Sequence, residues 1–255
     1  MLGEMTRDEW MKMLGIPPDR IPQAVLLWGT RNLKLRCTSM RRRFSRVFEI
    51  GSPNGLLDDV FIGMLGDLCV GYASVYGAPM ASEVAHLFGV LGARLAIQIG
   101  TCGGFGEGLK LGDLFIAEEA YCGEGASQYF KTDGKTVAAT MRFSDAADVN
   151  RPGVRIARGR IYTTSALFAE SREDIDRWAR LGFSAVDMET AATFSVAEHF
   201  GMDRGSILAV FDNPRGEDHI LSTDSEKDKR RRAAQKAMVE IALDAIIKYG
   251  RKNHE

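Results

Sequence analysis

Short apolar runs alternate with segments of helical periodicity along this chain, and no other feature restricts its fold as much. Residues 24–28 and 95–99 are almost continuously apolar, which is typical of strands buried on both faces. Residues 80–94 carry apolar side chains at helical spacing instead. Further strands are predicted at residues 114–117, 160–164, 185–188 and 206–211, and helices at 170–180, 190–200 and from about 224 onward. The alternation predicts an α/β fold with a central mixed β-sheet flanked by helices.

The length and composition of the chain indicate one large domain. The 255 residues are 45% hydrophobic and 26% charged, a balance that supports a sizeable core. No internal repeat or break in composition divides the sequence, so we expect a single domain over residues 1–255. Residues 1–22 are predicted to be an entry segment, with a short helix that ends near Gly15 and a turn at Pro17 and Pro18.

Charge and cysteine usage argue against several classes of partner. The net charge is −1, and the basic residues of 227–232 alternate with Asp228 in a helical pattern, which predicts a solvated helix face and no nucleic-acid partner. No apolar stretch is long enough to span a membrane and the N-terminal residues do not resemble a signal peptide, so we expect a cytoplasmic protein. The four cysteines are far apart and lack a C-x-x-C pair, which predicts reduced thiols and no metal.

The most distinctive local pattern is a glycine-rich stretch directly after the strand at 95–99. Gly100, Gly103 and Gly104 allow the backbone to approach a ligand closely and gather N–H groups around an anion. A simple tight turn is the alternative interpretation. The dinucleotide-binding G-x-G-x-x-G pattern and the P-loop are both missing from the sequence, so no nucleotide cofactor is predicted.

Three sequence blocks carry a resemblance to a known family. IGTCGG at residues 99–104 with LGDL at 111–114, AVDMETAA at 185–192 and AVFDN at 209–213 resemble, in the same order, blocks of the nucleoside phosphorylases. That family includes purine nucleoside phosphorylase, uridine phosphorylase and methylthioadenosine nucleosidase. The resemblance covers about residues 23–249 and implies cleavage of the N-glycosidic bond of a nucleoside.

The resemblance gives Glu189 and Met188 roles at the ribose. Because glycosidic cleavage passes through an oxocarbenium-like sugar, the enzyme must hold the ribose hydroxyls and stabilise positive charge. Glu189 resembles the carboxylate that accepts hydrogen bonds from the 2′- and 3′-hydroxyls, and Met188 the residue packed beneath the ribose. The alternatives are a carboxylate favoured by a helix N-terminus and a core methionine. The other residues expected around the nucleoside are Asp187, Thr101, Cys102 and Gly103.

Asp212 is the expected acid at the leaving base. It ends an apolar strand, and strand termini of an α/β sheet commonly open onto the ligand crevice. In purine-cleaving relatives the matching aspartate donates a proton or hydrogen bond to N7. An Asx turn made by Asp212, Asn213 and Pro214 is the structural alternative.

The segment before residue 172 resembles the base-binding stretch of the family and favours a purine. The resemblance implies that Phe168 stacks on the base and that Glu170 meets a purine edge. Uridine-cleaving members carry glutamine and arginine four and six residues after that phenylalanine. Here these positions hold Arg172 and Asp174, so a purine nucleoside is expected.

The expected phosphate site departs from the family pattern. Phosphorylases begin with a G-D-P-x-R turn, but its arginine position is Leu33 here, and a second phosphate arginine is replaced by Gln98. The residues expected to hold phosphate are Gly29, Arg31, Gln98, Thr101 and Arg46. Arg46 represents the cluster Arg41, Arg42, Arg43 and Arg46, from which one arginine is expected to reach in from a neighbouring subunit. Arginines on the solvated surface are the alternative for each cation.

The predicted activity is therefore phosphorolysis, with inorganic phosphate as co-substrate and no cofactor. A nucleosidase that uses water is the alternative within the family. Cys102 in a G-x-nucleophile-x-G elbow would instead indicate a cysteine hydrolase, and a non-catalytic nucleoside-binding protein is a further possibility.

Two expectations concern the assembly and the 5′ position. Because relatives complete each site from an adjacent subunit, we expect a homo-oligomer, either a dimer or a trimer of dimers. Met13 replaces the histidine that contacts the 5′-hydroxyl in relatives, which predicts a 5′-modified nucleoside as substrate.

Overall fold

One mixed sheet organises the computed structural model, which describes residues 1–51, 55, 57–143, 149, 151–216, 218, 220, 221 and 224–252. Within these residues the sheet contains ten strands. They are β1 (Ala24–Gly29), β2 (Ser45–Glu49), β3 (Val60–Leu65), β4 (Leu68–Val75), β5 (Leu95–Gly104), β6 (Leu114–Cys122), β7 (Thr136–Ala138), β8 (Ile156–Thr163), β9 (Phe183–Asp187) and β10 (Asp203–Asp212). The predicted α/β fold with a mixed sheet is confirmed.

Half of the sheet closes on itself and the other half stays open. β5 pairs with β10 in parallel and with β9 antiparallel, and β6 and β8 complete the ring between those two neighbours. From β5 the open half continues through β1, β4, β3 and β2, while β7 lies against β6. The strand β1 is parallel to both of its neighbours, β4 and β5. β5 therefore belongs to the closed ring and to the open half at once.

Helices cover both faces of the sheet. They are α1 (Arg7–Leu14), α2 (Leu33–Arg41), α3 (Gly77–Leu91), α4 (Arg172–Arg180), α5 (Thr190–His199) and α6 (Ser225–Lys252). α6 places Met238, Ile241 and Ile246 in a core shared with β1 and β5. On the opposite face, α3 and α5 pack against β1 and against each other. Each face of the central strands is thus buried, as the continuous apolar runs predict.

The entry segment has the predicted helix and stop signal. Thr6 and Glu9 form a capping box at the start of α1, and Gly15 ends the helix in the left-handed conformation at φ 64°. Trp10 and Leu14 of this helix are buried in the core. The segment therefore packs with the rest of the chain.

The basic stretch within α6 is only partly the solvated face expected from the sequence. Lys227 pairs with Asp218 at 2.8 Å, but Arg231 is buried and its guanidinium lies 4.2 Å from the ring centroid of Phe211. Among the described residues, no helix is long and apolar enough to cross a membrane. No group of three or more histidine, cysteine or acidic side chains suited to a metal occurs in the same part of the chain.

Candidate active site

A cavity of about 250 Å³ opens where β1, β5, β9 and β10 end. Its wall contains the glycine that ends β1, residues 101–103 of β5 and residues 211 and 212 of β10. The last two residues of β9, 186 and 187, and the two that follow them, 188 and 189, also line it. The parallel strands β1, β5 and β10 present their carboxyl ends here, which is where open α/β sheets bind ligands. Most of the residues predicted to contact a nucleoside are therefore brought together.

Glu189 projects a buried carboxylate into this cavity from the turn between β9 and α5. Its Oε1 accepts a hydrogen bond of 2.7 Å from the backbone N–H of Gly77. A Cβ atom added at Gly29 would lie only 2.7 Å from Oε2, so the glycine leaves the space that the carboxylate occupies. Burial and the charge of Asp187 raise the pKa of Glu189 to about 8. Glu189 stands at the N-cap of α5, where the helix N-terminus favours a negative charge, but its side chain forms no capping hydrogen bond.

Asp187 uses both carboxylate oxygens to join three elements. Oδ1 accepts from the Thr163 hydroxyl of β8 at 2.7 Å, and Oδ2 accepts from the backbone N–H of Thr190 at 2.8 Å. The Thr163 hydroxyl in turn accepts from the N–H of Ala191 at 3.0 Å. Asp187 lies in the cavity wall, but these bonds support a positioning role: they fix the turn that carries Met188 and Glu189.

Two further carboxyls, those of Asp212 and Glu170, line the same cavity. Burial raises the pKa of Asp212 to about 6, although the nearby charge of Arg231 acts in the opposite direction. Burial and the charge of Asp212 raise the pKa of Glu170 to about 7. Asp212 therefore loses its proton at a lower pH than Glu170 does.

The Asx turn after β10 does not use the Asp212 carboxylate. It is Asn213 whose Oδ1 accepts from the backbone N–H of Arg215, at 3.0 Å. Arg231 donates from Nε to the carbonyl of Phe211 at 2.9 Å and holds the end of β10 against α6. The Asp212 side chain is thus left available to a ligand.

Phe168 does not form the predicted base-stacking wall. The side chain is 92% exposed and its ring centroid lies 5.6 Å from the guanidinium of Arg31. Leu167 and Glu170, its neighbours around the short 3₁₀ turn Leu167–Ala169, line the cavity instead. Leu167 and Val186 are among the apolar residues of the cavity wall, and Phe168 is not.

Only part of the predicted phosphate site lies in the cavity wall. Gly29, Arg31 and Thr101 line it. Gln98 is fully buried outside the wall, because its Nε2 donates to the carbonyl of Ile99 at 2.9 Å and its Oε1 accepts from the Thr193 hydroxyl at 2.8 Å. The expected contact between Gln98 and phosphate is therefore wrong for this structure.

Two residues expected at the site lie elsewhere on the same chain. Arg46 belongs to the edge strand β2, where its carbonyl accepts from the side chain of Arg20 at 2.8 Å. Met13 is 54% exposed on α1. Neither side chain lines the cavity of its own chain.

The glycine-rich stretch is a strand rather than a turn. β5 continues through Gly104, and Gly103 and Gly104 pair with residues of β9. A Cβ at Gly100 would lie 3.0 Å from the carbonyl oxygen of Gly29, so the glycine allows β1 and β5 to approach closely. The predicted nest of N–H groups is therefore not formed by this stretch.

Cys102 lacks the setting of a nucleophile. It is buried, and its pKa lies well above the usual value because burial and the charge of Asp187 disfavour the thiolate. β5 leads into a loop and then β6, whereas a nucleophile elbow requires a helix directly after the strand. The cysteine hydrolase interpretation is wrong.

Several side chains of the wall were not predicted from the sequence, among them Trp28, Arg36, Tyr76 and Gln235. Arg36 lies on α2, with its guanidinium 4.9 Å from the Trp28 ring centroid and its Nη2 donating to Oε1 of Gln235 at 3.0 Å. Helical register is the signal in the sequence that could have identified Arg36. It lies three positions after Leu33, which occupies the place of the family's phosphate arginine, and hence on the same helix face.

Comparison with known proteins agrees with this geometry. Residues 47–248 match the model of a family described as the phosphorylase superfamily. A DeoD-type purine nucleoside phosphorylase of Clostridium beijerinckii is 30% identical over 176 residues, which cover 66% of this chain and 68% of the relative. One from Geobacillus sp. (strain WCH70) is 30% identical over 179 residues, which cover 68% of this chain and 73% of the relative.

Solved structures show the same fold. The crystal structure of uridine phosphorylase from Vibrio fischeri ES114 superposes with a TM-score of 0.75 at 19% sequence identity. The match covers 90% of this chain and 94% of that structure. A second structure of the same protein, complexed with 6-hydroxy-1-naphthoic acid, gives the same score.

Proposed function

The chain belongs to the phosphorylase superfamily, and on that basis we propose that it is a purine nucleoside phosphorylase. The reaction consumes phosphate and yields the free base and ribose 1-phosphate. The observation that carries the proposal is that one cavity is lined by the carboxyls of Glu189, Asp212 and Glu170. A carboxylate for the sugar and an acid for the leaving base are the two groups that glycosidic cleavage requires.

Glu189 acts on the ribose in this proposal. Its carboxylate accepts hydrogen bonds from the 2′- and 3′-hydroxyls, and its negative charge stabilises the sugar as positive charge develops. The N–H of Gly77 fixes one oxygen, so the group is oriented before substrate arrives. Hydroxyl donors of the substrate favour the ionised form of Glu189, whose pKa is raised to about 8 in the free protein.

Asp212 and Glu170 select the base. In this proposal the N7 acceptor of the bound base favours the protonated form of Asp212, which donates, and Glu170 is the acceptor. A 6-aminopurine presents the complementary pattern, since N7 accepts and the amino group donates along one edge. Proton donation to N7 lets the base leave as a neutral species.

The positions that read uracil in uridine-cleaving relatives have other roles here. Asp174 accepts from the Ser171 hydroxyl at 2.6 Å in a capping box at the start of α4. Arg172 is an exposed residue in the first turn of that helix. This arrangement supports a purine over a pyrimidine.

Phosphate is the proposed nucleophile, and no other cofactor is needed. Gly29, Thr30 and Arg31 form one wall of the cavity and Thr101 lies beside them. These groups supply hydroxyl, backbone and guanidinium donors for an anion. The replacement of two family arginines by Leu33 and Gln98 favours the second candidate, a nucleosidase in which water takes the place of phosphate.

We propose further that the enzyme is built from dimers and accepts a 5′-modified nucleoside. Arg46 and Met13 lie outside the cavity of their own chain, so they can act only if a neighbouring subunit brings them to the site. An apolar methionine in place of a hydrogen-bonding histidine disfavours a 5′-hydroxyl and tolerates a thioether.

Product analysis tests the proposed function. The protein is incubated with purine and pyrimidine nucleosides and with 5′-deoxy analogues, in phosphate-containing and phosphate-free buffer. We expect free purine base and ribose 1-phosphate, formed only when phosphate is present. Free ribose formed at full rate without phosphate would identify a nucleosidase, and binding of nucleosides without any cleavage would identify a non-catalytic binding protein.

A further inference from the structure

Arg36 is a half-buried cation in the cavity wall without a counter-charge. Its guanidinium stacks on Trp28 and donates once to Gln235, and both of these neighbours are electrically neutral. Its Nε is buried and has no hydrogen-bond partner. Arg36 forms no ion pair with any residue that the structure describes.

The buried Arg204 and Arg231 differ because each has a counter-charge, although Nη2 of Arg231 also has no hydrogen-bond partner among the described residues. Arg204 is paired with Glu198 at 2.7 Å, and Arg231 with Asp228 at 3.3 Å. A buried charge without a partner costs free energy, and a buried donor without an acceptor adds to that cost. Arg36 alone of these three keeps its charge uncompensated, and it does so at the wall of a cavity.

The groups around Arg36 indicate which kind of ligand would supply the counter-charge that it lacks. The stack on Trp28 and the bond to Gln235 hold the planar guanidinium in one orientation, which leaves its other N–H groups for a ligand. The same wall contains Gly29, Thr30 and Thr101, and the hydroxyls of the two threonines are further donors. A tetrahedral oxyanion matches a guanidinium and several neutral donors better than any neutral ligand does.

We propose that Arg36, oriented by Trp28 and Gln235, binds a phosphate-class oxyanion in the cavity. Its role as the site of the attacking phosphate rests on the proposed function. On α2 the residue lies one helical turn beyond Leu33, and its side chain lines the cavity whereas that of Leu33 does not.

Calorimetric titration with inorganic phosphate tests the site. Arg36→Gln removes the charge, Arg36→Lys keeps it without the planar fork, and Lys34→Gln removes an exposed cation of the same helix as a control. We expect Arg36→Gln to weaken phosphate binding roughly 10- to 100-fold, Arg36→Lys to weaken it less, and Lys34→Gln to leave it unchanged. Nucleoside affinity in phosphate-free buffer should stay near the wild-type value in all three.

A second measurement guards against misfolding. Phosphate should raise the melting temperature of the wild type and of Arg36→Lys but not that of Arg36→Gln. If Arg36→Gln does not fold, reduced phosphate binding by a folded Arg36→Lys still supports the proposal, and undiminished binding overturns it.

Two further outcomes separate the possible sources of the oxyanion. Wild-type phosphate affinity in Arg36→Gln would overturn the proposal. If Arg36→Gln instead lost affinity only for a nucleoside 5′-monophosphate, the proposal would also be overturned, because the oxyanion would then belong to the substrate. If phosphate binds through Arg36 but nucleosides are cleaved equally fast without it, the proposed phosphorolysis fails while the oxyanion site stands.

Discussion

The carboxylate of Glu189 is held in place before any ligand binds, since the Gly77 N–H fixes one oxygen and Gly29 leaves room for the other. If it stabilises the charged sugar, Glu189→Gln should lower turnover roughly 100-fold, or about 3 kcal/mol of transition-state stabilisation. Steady-state kinetics with a saturating nucleoside measures the loss. Glu107→Gln, at an exposed position outside the cavity, is the matched control. Near-normal turnover of a folded Glu189→Gln enzyme would contradict the ribose role.

The paired carboxyls Asp212 and Glu170 predict a pH-dependent choice of base. A 6-oxopurine offers two acceptors along the edge at N7, so it requires protons on both carboxyls, whereas a 6-aminopurine requires only one. Since the two pKa values are raised to about 6 and about 7, the ratio of kcat/KM for adenosine over inosine should rise between pH 5 and pH 7.

Glu170→Gln should remove most of that rise, because an amide can donate to the 6-oxo group at every pH. Glu173→Gln, an exposed neighbour on α4, controls for charge. A wild-type ratio that does not change with pH would show that the pair does not read this edge.

At the scale of strands and helices, the site depends on how closely β1 and α5 approach. Gly29→Ala would place a methyl group 2.7 Å from Oε2 of Glu189 and 3.1 Å from Nε2 of Gln98. We expect the carboxylate to be displaced and kcat/KM to fall roughly 100-fold, since small misplacements of a catalytic group are costly. Gly51→Ala, where an added Cβ meets open space, should be neutral. Equal kinetics for the two variants would show that the close approach is unimportant.

Several elements predicted from the sequence have burial that follows a simple pattern, although β3 and β4 are also buried and were not predicted. β1 and β5 were predicted because strands buried on both faces are continuously apolar. The edge strand β2 is largely exposed and carries charges, so no such pattern marks it. α2 was missed for a related reason: Met40 is its only buried residue among nine, which leaves a weak helical period.

The site was predictable where a family motif fixed a residue to a strand end, as for Glu189 and Asp212. The buried position of Gln98 was not predictable, because its partner Thr193 is distant in sequence. Within an apolar run, the sequence does not distinguish an amide that points into the interior from one that faces a ligand. Arg36 depends on an unpredicted helix and on contacts with β1 and α6. Such contacts are set by tertiary packing, which local sequence patterns do not contain.

For the whole molecule, the raised carboxyl pKa values predict that stability falls as pH rises. Glu189 titrates at about 8 in the folded chain against an ordinary value of 4.5, so the folded state holds a proton that the unfolded state has lost. The stabilisation that this proton gives is complete at pH values below the pKa of Glu189 in the unfolded chain, and it decreases toward pH 8.

Thermal denaturation without ligand at pH 5.5 and pH 8 measures this effect, and the decrease should be smaller in Glu189→Gln. Comparison with the variant is needed because burial lowers the pKa of His86, which changes stability in the opposite direction. An identical decrease in both proteins would show that Glu189 is ionised throughout this range.

The assembly is the other property of the whole molecule that can be tested. If Arg46 completes the site of an adjacent subunit, sedimentation should give dimers or a trimer of dimers at working concentration. Arg46→Ala should then raise the KM for phosphate, with Arg42→Ala, another exposed arginine, as the control. A fully active monomer would contradict the shared site.

β5 belongs both to the closed ring and to the open half of the sheet, and this limits how the fold can diversify. Its end contributes Thr101 and Cys102 to the cavity, β1 in the open half contributes Gly29, and β9 and β10 in the closed ring lead to Glu189 and Asp212. Neither half is a self-contained module, because both are hydrogen-bonded to the same strand. Recombination of one half with a foreign partner would have to preserve that strand's register on both edges. New specificities are therefore more accessible through side-chain changes in the cavity wall, at positions such as Glu170 and Arg36, than through exchange of whole segments.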